Sequence, residues 1–427
     1  MTVAPQNLIY ILFASAFGPY IISGIRLDQF MVYLLLLLLI MIGRIRIVND
    51  RSLLAILMLA GFIFTVPLIS TVTKFEYISL TLLVSQIENY LTPIIVLVLL
   101  SSLLAKKTEI ETNEIFMNCI KVFLTLLSLN TLFSIYLFIS GDEAMLSLFT
   151  GSREITMRDD YDAGATAASI ALGAGRITGV FTQVFEAGTA YSMGIVSIGY
   201  LHKKEPEKIM RNLTCFLFIL IGGMLTFSKI FFIIGFLAFI YFIGLFRSIK
   251  MLLFMVPLFV IILSYFPDFE IAGIAFGKGL KNIFRLFDFN SGNFIAVFTS
   301  GRFSDESSII TGMESIFYQS PIIGLGYGSI ETSDFSLYEV FSLGGILGMI
   351  AYIAMFGFLI TLSFIQKDLT ARDFLLAINF IILFSSLGGP IITANRISVI
   401  FWVLVGIIIL KERSSEHIKL TNKSQII

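Results

Sequence analysis

"DQFMVYLLLLLLIMIGRIRIVNDR" (residues 28–51) joins an apolar run to a short stretch holding Arg44, Arg46 and Arg51. A helix needs roughly 20 mostly apolar residues to cross the hydrocarbon core, and lysine and arginine gather in cytoplasmic loops. The same pairing of greasy run and basic loop recurs along the chain. The 427 residues are 57% hydrophobic and 14% charged, with mean hydropathy +0.93. Soluble domains are roughly 45–50% apolar and about 25% charged. The sequence therefore reads as an all-α polytopic membrane protein, a single integral membrane domain over 1–427. Zero net charge gives no footprint for nucleic acid.

About twelve spans are expected: 7–25, 28–43, 52–72, 78–105, 116–140, 182–201, 211–227, 230–246, 251–267, 340–365, 373–389 and 392–410. "SQIENYLTP" (85–93) interrupts the fourth and looks like a broken helix, and "GGP" alone separates the last pair. Ala14-Ser15-Ala16 resembles a signal-peptidase site, but no basic region precedes it, so the first run reads as a retained helix. The basic segments 44–51, 105–107, 202–208, 247–250, 366–373 and the tail from Lys411 share one side if both termini lie there. That side is cytoplasmic, which leaves 141–181 and 268–339 outside as a first and a large periplasmic loop. Cys119 and Cys215 lie in or beside apolar runs, so no disulfide is expected.

In the large loop, "FGKGLKNIFRLF" (276–287) sets Lys278, Lys281 and Arg285 at helical spacing among aromatics, either an interfacial helix or an ordinary packed one. Further on, Ile309, Ile310, Met313, Ile316 and Phe317 share a helical face, with Ser304 as N-cap and Pro321 as the stop. Arg302 then precedes a helix N-terminus, where backbone N–H groups and a guanidinium fork suit an anion; pairing with Asp305 or Glu306 is the plainer account. "GLGYG" (324–328) has no strand–helix context for a nucleotide loop and reads as a tight turn.

In the first loop, the charges of 153–162 read as a solvated face, whereas Arg176 lies about a turn before a span and Glu186 just inside it. Lys229, Gln86, Glu88 and Arg396 stand at membrane depth, where ionisable groups face a polar interior or snorkel. Together they suggest a basic cavity for an anionic, lipid-linked substrate. His202 and His417 are far apart and fit no metal spacing.

"GRFSDESSIITGMESIFYQSPIIGLGYGSIETSDFSLYEVFSLGGILGMIAY" (301–352) resembles the loop-to-helix region of the O-antigen polymerase and ligase superfamily. The resemblance rests on Arg302, Pro321, Gly324, Gly326, Gly328, Asp334 and Gly345-Ile346-Leu347-Gly348. "GRITGVF" (175–181) resembles the family's Arg-x-x-Gly-x-Phe, and "LTFSK" (225–229) its Ser-Arg hairpin with Lys229 in place of arginine. It implies a GT-C-type glycosyltransferase of the bacterial inner membrane. Such an enzyme moves a growing glycan from undecaprenyl diphosphate onto the next lipid-linked repeat unit, as in O-antigen, capsule or exopolysaccharide synthesis. No nucleotide sugar, cofactor or metal is implied, and a chain-length regulator could be a partner.

With no metal, fixed cations would stabilise the leaving diphosphate; Arg176, Arg302, Lys229 and Arg396 fit that role. The acceptor hydroxyl needs a base, and Asp334 leads, with Glu339 and Glu186 behind it. Ligases of the superfamily, which transfer glycan to lipid A-core, typically carry histidine where Asp334 aligns, which favours a polymerase. A transporter or flippase of lipid-linked oligosaccharide is a further alternative, but the internal repeats common in that class are missing. Impermeant thiol reagents applied from outside should label a cysteine placed at position 310 and spare one at 205; the reverse would overturn the orientation.

Overall fold

The computed structural model describes residues 5–22, 25–74, 79–150, 167–243, 270–271, 274–275, 308–329, 335–393 and 395–424. Helix α1 (Pro5–Ser15) leads into a two-stranded hairpin, β1 (Tyr20–Ile22) and β2 (Ile25–Arg26), and then α2 (Leu27–Met41). Next come α3 (Arg51–Thr73), α4 (Leu80–Leu104), α5 (Glu109–Ser140), and the short α6 (Glu143–Thr150) and α7 (Ala167–Gly173). α8 (Val184–Lys204), α9 (Ile209–Leu225), a π-helical turn (Ile230–Gly235) and α10 (Phe236–Ile243) follow. After a small hairpin, β3 (Glu270–Ile271) with β4 (Ile274–Ala275), stand α11 (Ser308–Gln319), α12 (Ser336–Ile365), α13 (Leu369–Ser385) and α14 (Asn395–Ser424). Five helical stretches, Arg51–Thr73, Leu80–Leu104, Glu109–Ser140, Pro206–Leu225 and Ser336–Ile365, are long and apolar enough to cross a membrane. The chain is an all-α membrane protein in this sense.

Caps in the sequence set several boundaries. The Asp50 carboxylate accepts the Leu53 N–H, Thr108 and Glu111 form a capping box, and Asp368 accepts the N–H groups of Thr370 and Ala371. Three expectations need correction. The first run is helical only to Ser15, because the chain turns there into the hairpin that returns to Arg26. The fourth is one unbroken helix despite Pro93 and its polar residues. On α11, Ile309 and Ile316 are buried, but Phe317 is 57% exposed, so burial does not extend along the whole expected stripe. The expected span 251–267, the basic helix 276–287 and the charge run 153–162 lie outside the described residues.

Two helices form the centre. Every residue of α8 from Glu186 to Leu201 is buried, as is α14 over 396–410. α8 packs on α5, α9, α10 and α13, and α14 packs on α4 and α5.

The glycine turn is built into this core. Within α12, Gly345 leaves helical geometry (φ 60°, ψ −157°). The freed backbone pairs with residues 321–326: Leu325 N–H donates to Ser342 O and Gly326 N–H to Leu343 O, while Ile346 and Leu347 donate to Pro321 O and Ile322 O. Irregular backbone is tolerated at membrane depth only where protein satisfies it. Ser70 Oγ and Lys74 Nζ donate to Gly324 O, and Thr71 Oγ1 accepts the Tyr327 N–H. Gln86 Oε1 accepts the Gly328 N–H at 2.7 Å. Gln86 therefore serves the turn without interrupting its helix.

Contacts gather five of the six basic segments at one end; 247–250 lies outside the described residues. Ser101 and Ser102 accept the backbone N–H groups of Val48 and Arg46. Lys107 pairs with Glu111, Lys121 with Glu205, Lys204 with Asp368, and Lys411 with Asp368 and Asn113. Hydrogen bonds from Lys121, Arg211 and Lys208 pull the Glu205 carboxyl down to about 2. Being depressed, it adds stability that is fully present above the ordinary carboxylate range and fades as pH falls toward 2.

A methyl group at Gly345 would sit 2.4 Å from Ile322 O in a conformation L residues avoid. Gly345→Ala should destabilise the protein by about 2 kcal/mol or more, read as a lowered melting temperature in detergent; an unchanged melt would mean the turn does not brace the bundle.

Candidate functional site

The loop between α7 and α8 carries Arg176. Its backbone N–H donates to Ala171 O, and the next residue, Ile177, donates to Leu225 O at the end of α9. The Arg176 Nη2 donates to Phe227 O at 3.4 Å, a long bond. Phe227 is buried and has φ 46°, the one non-glycine positive φ among the described residues. Such strain persists where the surroundings impose it, often at functional sites. Two residues on, half-buried Lys229 starts the π-helical turn, another geometry that clusters at functional sites.

Electrostatics set Arg176 apart. Its Nε is sealed from solvent and has no hydrogen-bond partner among the described residues. Burial pushes the guanidinium down to about 10, and no carboxylate among the described residues offsets it. It is still charged at neutral pH. A half-buried cation whose Nε is sealed from water loses part of its hydration, so the loop holds Arg176 in a position that an anion would relieve.

Arg396 is the opposite case. It is 0% exposed, which removes snorkelling as its account. Nη2 donates to Phe149 O, and the guanidinium lies 5.9 Å from the Tyr20 ring centre. Asp28 and Glu186 supply opposing charge, although Nε and Nη1 have no hydrogen-bond partner among the described residues. Asp28 also forms a two-pronged pair with Arg26, at 3.1 Å and 3.3 Å.

Glu186 is fully buried. Its Oε2 accepts from Thr182 N (3.1 Å) and Thr182 Oγ1 (2.9 Å), and its Oε1 accepts the Arg396 N–H (2.9 Å). One carboxylate thus ties the Arg176 loop, the start of α8 and the start of α14 together.

Glu339 stands apart on α12. It is 3% exposed, Tyr90 OH donates to its Oε1 at 3.3 Å, and Tyr90 packs edge-on to Tyr327. The structure therefore joins Arg176, Glu186 and Arg396 through shared loops, and Lys229 lies two residues beyond Phe227, whose carbonyl Arg176 reaches. Arg302 and Asp334 lie outside the described residues. A solvent-open cleft lined by Asn113, Glu114, Asn118, Lys121, Lys204 and Glu205 belongs to the basic end, away from these groups.

Sequence reasoning missed the pair of Arg26 and Asp28. Their i, i+2 spacing at the head of an apolar run was the available signal. It also missed Asn130, a lone amide in the middle of α5. No family model matches the chain, and no curated protein matches it in sequence.

Glu186→Ala would strip an acceptor from three buried donors in two segments. A loss of about 2–4 kcal/mol is expected, measured by thermal unfolding of the purified protein. A change below about 0.5 kcal/mol would show that the tie carries little.

Proposed function

We propose that the chain polymerises lipid-linked glycan repeat units, moving the growing glycan from undecaprenyl diphosphate onto the next lipid-linked unit. The observation that carries this reading is Arg176, a largely desolvated guanidinium with no carboxylate partner among the described residues, on the loop "GRITGVF" (175–181). Its motifs resemble the O-antigen polymerase and ligase superfamily, and its surroundings suit a diphosphate. The reading places both termini in the cytoplasm, the basic end at the cytoplasmic face of the inner membrane, and Arg176 toward the periplasm. Five basic segments gathered at one end support that orientation.

In the proposed reaction the acceptor hydroxyl oxygen attacks the anomeric carbon of the donor glycan. The bond from that carbon to the diphosphate oxygen breaks, and the diphosphate leaves with the electron pair. Arg176 and Arg302 meet the developing negative charge, with Lys229 and Arg396 completing the cationic field. The hydroxyl proton passes to a carboxylate. Glu186 has both oxygens committed to buried donors, so the base falls to Asp334, with Glu339 next.

In a strain making a heteropolymer surface glycan, deletion should leave single repeat units on the lipid anchor. Long lipid-linked chains that fail to reach the surface would instead indicate a ligase. Arg176→Ala should cut chain growth at least about a hundredfold with membrane abundance near wild type; wild-type chain lengths would sink the assignment.

A further inference from the structure

We infer that Asn130, in the middle of α5, is the positioning residue of Arg176; the inference rests on the diphosphate reading above. Asn130 is buried in a stretch of α5 otherwise dominated by Leu and Phe. A polar side chain at that depth is costly unless both ends of its amide are used. Both are. Its Oδ1 accepts the Val180 N–H at 2.8 Å, and its Nδ2 donates to Tyr191 OH on α8 at 2.9 Å. Tyr191 OH also meets Thr131 Oγ1 at 3.2 Å, and Thr131 Oγ1 donates to Phe218 O on α9. The amide is therefore held by α8 and α9 before it receives the loop.

Its partner is the short segment that begins at Arg176. That segment is fixed at Ile177 N by Leu225 O and at Val180 N by Asn130, with Thr178 and Gly179 between. Gly179 has φ 64°, and a Cβ there would fall 2.1 Å from Asn130 Oδ1. The loop thus lies directly on the amide, and only glycine permits the approach. Without the Asn130 acceptor, the Arg176 loop keeps the Leu225 anchor and the Glu186 tie but loses the one between them. A guanidinium carrying a single long bond among the described residues relies on its loop for direction, and misplacement of about an ångström is enough to spoil recognition.

The test uses the full chain in nanodiscs and radiolabelled undecaprenyl diphosphate as the probe, with melting temperature recorded for every variant. Asn130→Ala should weaken binding about tenfold, and Gly179→Ala, which attacks the same contact from the loop side, by a similar factor. Asn130→Asp keeps the acceptor for the Val180 N–H and should bind within about threefold of wild type. In an Arg176→Ala background, Asn130→Ala and Gly179→Ala should cause no further loss, because they act through Arg176. Losses that multiply with Arg176→Ala, or wild-type binding by Asn130→Ala, would overturn the positioning role and leave the diphosphate reading intact. Failure of the wild-type protein to bind the probe would overturn that reading and this inference with it.

Discussion

The Glu186 carboxylate draws its three donors from two segments that the sequence separates by about two hundred residues. In water such an arrangement would be worth little. Inside an apolar bundle no solvent is available to satisfy a stranded N–H or carboxylate oxygen, so each must find its partner within the chain. That constraint explains why several buried polar residues of this protein come in shared sets. Glu186 ties loop to helix starts, Asn130 ties loop to mid-helix, and Gln86 with Thr71 ties the glycine turn to α3 and α4. Each set fixes irregular backbone against regular helix.

The same constraint makes the exceptions informative. Arg26, Lys121, Lys204 and Lys411 all have carboxylates at hand. Arg396 lies among opposing charges. Among the described residues Arg176 has one long bond, to a carbonyl of a residue held in strained geometry. Arg396 also has two buried nitrogens without a hydrogen-bond partner among the described residues, but it has carboxylates nearby; Arg176, without them among those residues, is the stronger local reason to look for an anionic ligand. That such an anion would carry a glycan is a proposal resting on the resemblance of the motifs.

Much of this was legible in sequence, and the failures have common causes. Apolar runs between basic loops marked the positions of the helices, because burial and length leave strong periodic signals. The polar stretch 85–93 misled, since Gln86 reads as a helix breaker until its acceptor role toward Gly328 is seen. Pro93 is accommodated within a helix packed on α14 and α3. Arg396 read as either facing a polar interior or snorkelling, because sequence gives depth along a helix but not which neighbours surround it. Glu186 read as a base for the same reason; only the fold shows its oxygens taken. Asn130 drew no notice, since a neutral amide lacks the charge that makes a residue conspicuous in a greasy run.

The all-round burial of α8 bears on how the protein reaches its membrane. Its segment mixes Gly188, Thr189, Ser192, Gly194 and Ser197 with one acid, and none of its residues from Glu186 to Leu201 faces outward. A helix of this kind partitions weakly into lipid by itself, because small and hydroxyl-bearing residues contribute little transfer energy and an acid subtracts from it. Its stable home is a slot already walled by α5 and α9, with glycines that let the backbones close in. Biogenesis then has an order imposed by chemistry: the greasy outer helices enter first and serve as the solvent for the central one.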